Sequence, residues 1–314
     1  MISTQRKQSN ANGEATIRLD TSLVVVPVTV LDREGKHVRE LTKQDFRIYE
    51  DNVEQEITHF SAEAPFNVVL MLDTSYTMRY ELTDIQRAAT AFIESLRPQD
   101  QVMVVSYNGY IYVNSEFTAD RNQLSHAIEQ TRQGRGKRLY DALELLLTER
   151  LNQVQGRKAI VLFTDGLDCN GSQFANADET MDLVRGSGVS IYPIFYNTYA
   201  DTGATSKIDA RGGIITSLGV SRELYMAAIN YLNGLANSTG AQLYQADQPF
   251  KLRQAFSAIA EDLRHQYTLG YYPTNTARDN SYRRIRVSVG RPDIVVRARD
   301  GYRLPPDSSA SVNR

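Results

Sequence analysis

Two short motifs contain the side chains whose types and spacing are best suited to binding a metal ion. One places Asp73, Ser75 and Thr77 at alternate positions directly after an apolar run, and the other places Asp165 just after a second apolar run. Carboxylate and hydroxyl oxygens are hard ligands, so a set of them around one point suits Mg²⁺ or Ca²⁺. The alternative role is local, because Asp, Ser and Thr at strand ends also cap turns and helices.

The elements that must position these motifs alternate between strands and helices. Nearly continuous apolar runs occur at 66–72, 102–105, 159–163 and 189–195. Such runs are typical of strands buried on both faces of a parallel sheet, and segments with a helical period separate them. The pattern predicts an α/β fold with a doubly wound, mostly parallel, Rossmann-like sheet that has helices on both faces. Ligands of open α/β sheets bind at the carboxyl ends of the strands, so we expect the two motifs to converge there.

Both flanks of this α/β region have β patterning instead. Residues 16–63 and 265–304 contain short strand-like runs separated by turn signals. Neither flank has enough strands to bury a core alone, so we expect them to pair into one small antiparallel β-sandwich. The α/β domain, residues 64–264, is then inserted between its two halves. The polar termini, 1–15 and 305–314, are expected to be disordered.

The length, charge and composition of the chain limit the functions that it can have. A chain of 314 residues suits about two domains. The net charge of −2 and the absence of a Lys/Arg run give no basic field for nucleic acid. The single cysteine, Cys169, excludes an internal disulfide and a multi-cysteine zinc site. No run of about 20 apolar residues and no signal-peptide pattern is visible, so we expect no membrane span.

Known catalytic motifs are not evident in the sequence. The four histidines form neither an HxH nor an HExxH pair, and no GxSxG elbow occurs. The sequence Gly134-x-Gly136-Lys137 lacks the spacing of a phosphate-binding loop and follows no predicted strand. We therefore expect that the protein is not an enzyme. A metal-dependent hydrolase stays as a weak alternative, because it rests only on carboxylates near a predicted metal.

The order of the motifs resembles that of a known family. Asp73-x-Ser75-x-Thr77 after an apolar strand resembles the metal-ion-dependent adhesion site (MIDAS) of von Willebrand factor A (vWA) domains. Residues 163–166 (Phe-Thr-Asp-Gly) are similar to the later aspartate of that site, and residues 139–143 (Leu-Tyr-Asp-Ala-Leu) to the helix after the family's threonine loop. The resemblance covers about 64–264. In the flanks, residues 41–46, 49–51 and 266–271 resemble a bacterial vWA-related subfamily in which β segments bracket the A domain.

The resemblance implies a protein-interaction or adhesion module with a bound Mg²⁺, or Ca²⁺ or Mn²⁺ in its place. The hydroxyls of Ser75 and Thr77 would bind the metal directly, and Asp73 and Asp165 would bind through waters or set the charge of the site. An acidic group from an unidentified protein partner would complete the coordination shell. The resemblance also implies an extracellular or periplasmic location, although the sequence shows no signal peptide.

The sequence departs from the family in the loop before residue 139. This loop reads Gly-Arg-Gly-Lys-Arg at 134–138, and Lys137 takes the position of the usual threonine. A charged lysine cannot ligate a divalent cation. Its ammonium either lies beside Asp73 and Asp165 and replaces the metal electrostatically, or points to solvent and leaves a weakened metal site. The first alternative predicts a structural or assembly module without a metal, and the sequence leaves both open.

Overall fold

The computed structural model divides the chain into a central α/β domain and a β module built by the two flanks. The structure describes residues 23–76, 82–168, 171–198 and 221–303, with the backbone of 206–208 and 214–216. Thr77, Cys169 and the two termini that we expect to be disordered lie outside the described residues.

In the described residues, strands occur in both flanks and in the centre of the chain, whereas the α-helices lie in its central part. The strands are β1 (Val24–Asp32), β2 (Phe46–Glu50), β3 (Val53–Gln55), β4 (Ile57–Ser61), β5 (Phe66–Asp73), β6 (Gln101–Tyr107), β7 (Ile111–Thr118), β8 (Arg157–Thr164), β9 (Ser190–Phe195), β10 (Ser206–Ile208), β11 (Ile214–Thr216), β12 (Tyr244–Gln245), β13 (Tyr267–Tyr271), β14 (Tyr282–Val289), β15 (Ile294–Ala298) and β16 (Gly301–Arg303). The helices are α1 (Leu82–Ser95), α2 (Arg121–Glu129), α3 (Leu139–Leu145), α4 (Ala177–Ser187), α5 (Arg222–Thr239) and α6 (Pro249–His265).

The α/β domain is built on a six-stranded sheet in the order β12-β9-β8-β5-β6-β7. Its strands are parallel except β7, which is antiparallel to β6. Successive residues of β5 enter opposite hydrophobic clusters: Leu70 packs with α1, α2 and α6, whereas Met71 packs with α3, α4 and α5. Burial on both faces requires apolar residues at every position. The predicted doubly wound sheet with helices on both faces is confirmed.

The two flanks pair with each other in two four-stranded antiparallel sheets. One has the order β15-β1-β13-β4 and the other the order β16-β14-β2-β3, so each sheet contains strands from both ends of the chain. Val26 and Leu269 of the first sheet share one hydrophobic cluster with Ile48 and Ile285 of the second. The predicted antiparallel β module formed by both flanks is confirmed. The exact residues that divide the domains stay a prediction.

A buried arginine lies where the chain crosses between the two parts. Arg157, the first residue of β8, donates hydrogen bonds to the carbonyls of Ala64 and Gln266, which belong to the outgoing and the returning crossing. Its guanidinium also lies over the Phe66 ring, 3.9 Å from the ring centroid. Burial, with repulsion from Arg97, lowers the pKa of Arg157 to about 10, so it stays charged at neutral pH. One cation thus holds both crossings together.

Several elements differ from the sequence-based expectation. The apolar spacing of Leu139, Leu143, Leu146 and Leu147 predicts one helix at about 139–153. Helix α3 instead ends at Leu145 and continues as a wider π turn, Leu146–Arg150, in which Leu151 N–H bonds to Leu146 O at 2.8 Å. The extra residue keeps Leu146, Leu147 and Leu151 buried together. The Gly-, Thr- and Asp-containing composition of 197–219 predicts a long loop, but this segment contains the short antiparallel pair β10 and β11.

Candidate functional site

Loops from neighbouring strands meet at the carboxyl edge of the central sheet. The loop after β5 lies between the end of β6 and the segment before α3, because Thr74 N–H donates to Tyr107 O (2.9 Å) and Tyr76 N–H donates to Gly134 O (3.0 Å). Strand β8 pairs with the other side of β5 and ends just before Asp165. Asp73 and Asp165 are completely shielded from solvent. The two motifs singled out in the sequence therefore lie together.

The side chain of Lys137 enters this edge from above and lies between the two aspartates. Its ammonium forms an ion pair with Asp165 Oδ2 and lies 3.6 Å from Asp73 Oδ2. Lys137 is only 2% exposed, so the interaction is not screened by solvent. Of the two arrangements that the sequence left open, the structure has the one in which the ammonium lies beside both carboxylates.

Hydroxyl groups and backbone amides complete the surroundings of the carboxylates. Tyr107 OH donates to Thr164 Oγ1 (2.8 Å), and both hydroxyls lie 3.4 Å from Asp73 Oδ2. Thr198 Oγ1 donates to Asp165 Oδ2 at 2.9 Å. Asp73 Oδ1 accepts a hydrogen bond from Ser75 N–H at 2.9 Å, and this contact stabilises the turn after β5. These contacts satisfy the buried carboxylates, as buried polar groups require.

The electrostatics of the site follow from its burial. Desolvation raises the pKa of Asp73, and the negative charge of Asp165 adds to this, whereas Lys137 and the hydrogen bonds from Ser75 oppose it. Burial also raises the pKa of Tyr107 well above its usual value, so its phenol stays protonated and donates. One ammonium balances one of the two carboxylates. Burial thus favours the protonated form of Asp73, and the Lys137 ammonium opposes this.

The donor set does not fit a divalent cation in this arrangement. The Lys137 ammonium lies where the two inward carboxylate oxygens converge, and a second positive charge there would meet strong repulsion. Within the described parts of the chain, there is no group of three or more His, Cys, Asp or Glu side chains placed so that it could hold a metal ion. The assignment of Asp73, Ser75 and Asp165 as metal ligands, together with Thr77, stays a prediction that metal titration must test.

A second polar cluster fixes the loops above Lys137. The buried Asp141 side chain accepts backbone hydrogen bonds from Gln173, Phe174 and Ala175, each at 2.9 Å, and pairs with Arg138. Burial alone would raise the pKa of Asp141, but the amides and the guanidinium outweigh it, and the pKa lies below 3.8. This carboxylate therefore stays ionised and ties the 173–175 loop to the start of α3.

The backbone of Lys137 itself is packed against a glycine. A Cβ atom added to Gly171 would lie 1.7 Å from the carbonyl oxygen of Lys137, which is far inside van der Waals contact. Asp168, three residues after Asp165, accepts a hydrogen bond from Ser172 N–H at 2.9 Å on the same side of Lys137. The two loops thus fix the position from which the lysine side chain reaches inward.

Sequence reasoning missed three hydroxyl residues of the site. Thr164 and Thr198 follow or end buried strands, so their position at the carboxyl edge was a usable signal. Tyr225 lies on α5, where its hydroxyl bonds to Thr198. No local pattern marks it, because its contact depends on how α5 packs across the sheet. Tyr107, the last residue of β6, is buried, so it packs within the domain and does not face a partner.

The doubly wound sheet, with loops from several strands meeting at its carboxyl edge, places the central domain in the α/β class. Residues 68–167 match the family model of the von Willebrand factor type A domain, and the chain contains a vWA domain. No curated protein sequence matches the chain.

Several solved structures are similar to this chain. A von Willebrand factor type A protein from Catenulispora acidiphila is 10% identical, covering 91% of this chain and 74% of its own, with a TM-score of 0.48. The BatB protein from Bacteroides thetaiotaomicron is 16% identical, covering 63% and 97%, with a TM-score of 0.47. The vWF domain of the type V pili tip protein Mfa5 from Porphyromonas gingivalis is 14% identical, covering 64% and 95%, also with a TM-score of 0.47. No helix in the described residues is long and apolar enough to cross a membrane.

Proposed function

We propose that this vWA domain is a protein-interaction module in which the Lys137 ammonium replaces the bound cation. The observation that supports it is the ion pair of Lys137 with Asp165, with Asp73 Oδ2 only 3.6 Å from the same nitrogen. A metal in such a site neutralises clustered carboxylates and orders the loops around them. An internal ammonium supplies the same charge at all metal concentrations, so the loops keep one arrangement without a cofactor.

The burial of the charged trio supports binding over catalysis. Asp73, Lys137 and Asp165 are each at most 2% exposed, so neither a substrate nor a partner's carboxylate reaches the ammonium. Recognition at this edge therefore falls to the exposed residues of the surrounding loops. An extracellular or periplasmic location, with an acidic protein as partner, belongs to the same proposal.

Thermal unfolding with and without metal tests the replacement of the cation. The protein is stripped with a chelator and heated alone or with millimolar Mg²⁺, Ca²⁺ or Mn²⁺. A ligand that binds only the folded state must raise the melting temperature, so we expect no rise for the natural protein. Lys137→Thr should restore a hydroxyl and vacate the ammonium position, and its melting temperature should rise with Mg²⁺.

The control for this experiment is the combined variant Lys137→Thr/Asp73→Ala. It should lose the Mg²⁺ response, because one of the two inward carboxylates is gone. A rise in the natural protein that disappears in Asp73→Ala would contradict the proposal. That result would establish instead a metal-dependent adhesion site of the kind that the sequence resemblance implies.

A further inference from the structure

A groove runs along α4, on the helix-covered side of the A domain and away from the carboxyl edge of its sheet. Its volume is about 730 Å³, and its walls come from α3, the π turn, α4, the start of β8 and the end of β16; it is called the α4 groove below. Volumes of about 300–1,000 Å³ are typical of ligand sites, which often lie between domains. Lys158, the second residue of β8, lies at the opposite end of that strand from Asp165. The α4 groove is therefore separate from the buried trio.

Apolar side chains and one glycine form the inner surface of the α4 groove. Leu147 and Leu151 belong to the π turn and the residue after it, and Leu183 lies on α4. Single π turns within helices are frequent at functional sites. Gly186 of α4 also lines the groove, and a Cβ atom added there would meet no heavy atom within 4 Å. Because a glycine within a helix lowers stability relative to alanine, this space is kept open at the expense of stability.

The cations of the α4 groove lie near the C-terminal end of α4. Lys158 lines a smaller adjoining cavity together with Gly186 and Ser187 of α4. Tyr302, which precedes Arg303 in β16, lines the same cavity. Lys158 and Arg303 therefore approach the same half of the groove.

Neither of these two cations has a counter-ion in the part of the chain that the structure describes. Lys158 is partly buried, and its ammonium donates to the carbonyl of Leu151 at 3.1 Å. The Nε atom of Arg303 is buried and has no hydrogen-bond partner among the described residues. No carboxylate of those residues forms an ion pair with either side chain. Burial lowers the pKa of Lys158, so a carboxylate bound beside it would favour the charged ammonium.

Carboxylates line the other half of the α4 groove. Glu179 lies in the first turn of α4, Asp182 lies three residues further on, and Glu144 projects from α3. Asp182 pairs with Arg185 at 3.4 Å on the surface, and Glu179 accepts a hydrogen bond from the backbone N–H of the residue before α4 at 3.2 Å. Surface pairs of this kind contribute little. The negative charge of this half is therefore open to a cationic group of a ligand.

The geometry of α4 sets the distance between the two charged halves. Residues 179, 182, 183, 186 and 187 follow the spacing of one helix face, and all of them line the groove. At about 1.5 Å of rise per residue, Ser187 lies roughly 12 Å along the axis from Glu179 and roughly 7.5 Å from Asp182. A matching ligand has a carboxylate and a cation about this far apart, with an apolar part between them. An extended polypeptide covers that distance in about two to four residues.

We propose that the α4 groove binds the C-terminal end of an extended polypeptide. The terminal carboxylate pairs with Lys158 and Arg303, and a Lys or Arg side chain two or three residues earlier pairs with Glu179 and Asp182. Apolar side chains between them pack on the leucines of the groove. This binding goes beyond the function proposed for the carboxyl edge and does not depend on it.

The mixed charge of the α4 groove favours this ligand over others. Phosphate backbones and anionic membranes are bound by many cations on one face, whereas this groove has carboxylates along half of its length. A fatty acid would place its hydrocarbon chain against those carboxylates and remove them from water without a partner, which is unfavourable. A ligand with both charges satisfies both halves.

Fluorescence anisotropy with a labelled tetrapeptide tests the inference. The peptide is Gly-Lys-Ala-Leu with a neutral dye on its N-terminus, so its charges are the lysine ammonium and the terminal carboxylate. The full chain is titrated into it, and we expect saturable binding. Amidating the C-terminus should raise the Kd about tenfold or more, and so should glutamate in place of the peptide's lysine, because each change removes a charge-assisted contact.

Variants of the protein locate the binding. Lys158→Gln/Arg303→Gln should raise the Kd about tenfold or more. The matched control, Arg87→Gln/Arg253→Gln, removes the same charge from exposed sites on α1 and α6, across the central sheet, and should change the Kd less than about twofold. Gly186→Leu places a side chain in the open space and should block binding without lowering the melting temperature.

Four outcomes would overturn the inference. The first is no saturable binding, and the second is equal affinity for the amidated peptide. The third is equal weakening by the two double variants. The fourth is binding about tenfold tighter after deletion of residues 304–314, because this chain's own segment would then be the occupant of the groove.

Discussion

Replacing Lys137 by methionine should destabilise the folded protein strongly at neutral pH. Methionine keeps much of the side-chain volume but removes the charge, which leaves Asp73 and Asp165 buried without a counter-ion. Breaking a buried ion pair from one side costs about 3–5 kcal/mol. Proton uptake sets an independent upper bound on the cost of leaving one carboxylate without a counter-ion, because the carboxyl can be protonated instead. Protonating a carboxyl of ordinary pKa 3.8 at pH 7 costs about 4 kcal/mol, at about 1.4 kcal/mol per pH unit. The two routes agree on about 4 kcal/mol.

The pH dependence of this loss has a definite sign. Burial and Asp165 already raise the pKa of Asp73 above 3.8, and removing Lys137 takes away the main influence that lowers it. The folded variant therefore binds more protons than the unfolded chain at pH values above 3.8, and its stability falls as pH rises through that window. The difference from the natural protein should be largest at pH 7 and should shrink towards pH 4.

Denaturant unfolding in urea between pH 4 and pH 8 measures this difference. Lys251→Met serves as the control, because Lys251 pairs with Asp247 on the surface at 3.8 Å and should contribute less than about 1 kcal/mol. The double variant Lys137→Met/Asp165→Asn should regain at least half of the lost stability, since one buried charge is removed with its partner. An unfolding midpoint at pH 7 equal to that of the natural protein, or a loss that is the same at every pH, would refute the reasoning.

Further changes test the loops and the β module. Gly171→Ala should cost about 1–3 kcal/mol, because its Cβ would overlap the Lys137 carbonyl; Gly186→Ala, where α4 leaves open space, should be neutral or stabilising in the same thermal melts. Asp141→Asn should cost about 2 kcal/mol and speed amide hydrogen exchange at 173–175, and normal protection there would disprove the anchoring role. Glu50→Gln should cost about 3 kcal/mol in urea unfolding, since the buried carboxylate accepts from two tyrosines and faces an arginine. Deleting 266–304 should unfold the N-terminal half of the β module. If a peptide of residues 23–63, produced without residues 266–304, kept a β-sheet circular dichroism spectrum, the flanks would not depend on each other.

The strands of the α/β domain could be predicted because their physical requirement is local. A strand such as β5 or β8, covered by helices on both faces, must be apolar at nearly every position, and this leaves a clear run in the sequence. The polar residue that ends each run is just as visible, which is why Asp73 and Asp165 could be assigned to one edge. The pairing of the two flanks also followed from a local argument, that each alone has too few strands.

The direction of the Lys137 side chain could not be predicted in the same way. The stretch around it alternates glycine with cations and has no period that distinguishes an inward from an outward side chain. Its direction depends on the 171–175 loop that packs over it, and that loop is held by Asp141. The contact between Tyr225 and Thr198 is equally non-local. Such contacts arise from the packing of distant segments, so no window of the sequence contains them.

The placement of both crossings side by side has a mechanical consequence. β4 and β13 are paired, with Ser61 opposite Thr268, and Arg157 bonds to the carbonyls on both sides of this point. Tension applied between Val24 and Arg303 is therefore carried by the ladders that join the two flanks, β1–β15, β1–β13 and β14–β2. The inserted A domain lies outside this load path. Its carboxyl edge should keep its geometry until these ladders shear, so the β module bears the load and shelters the A domain from it.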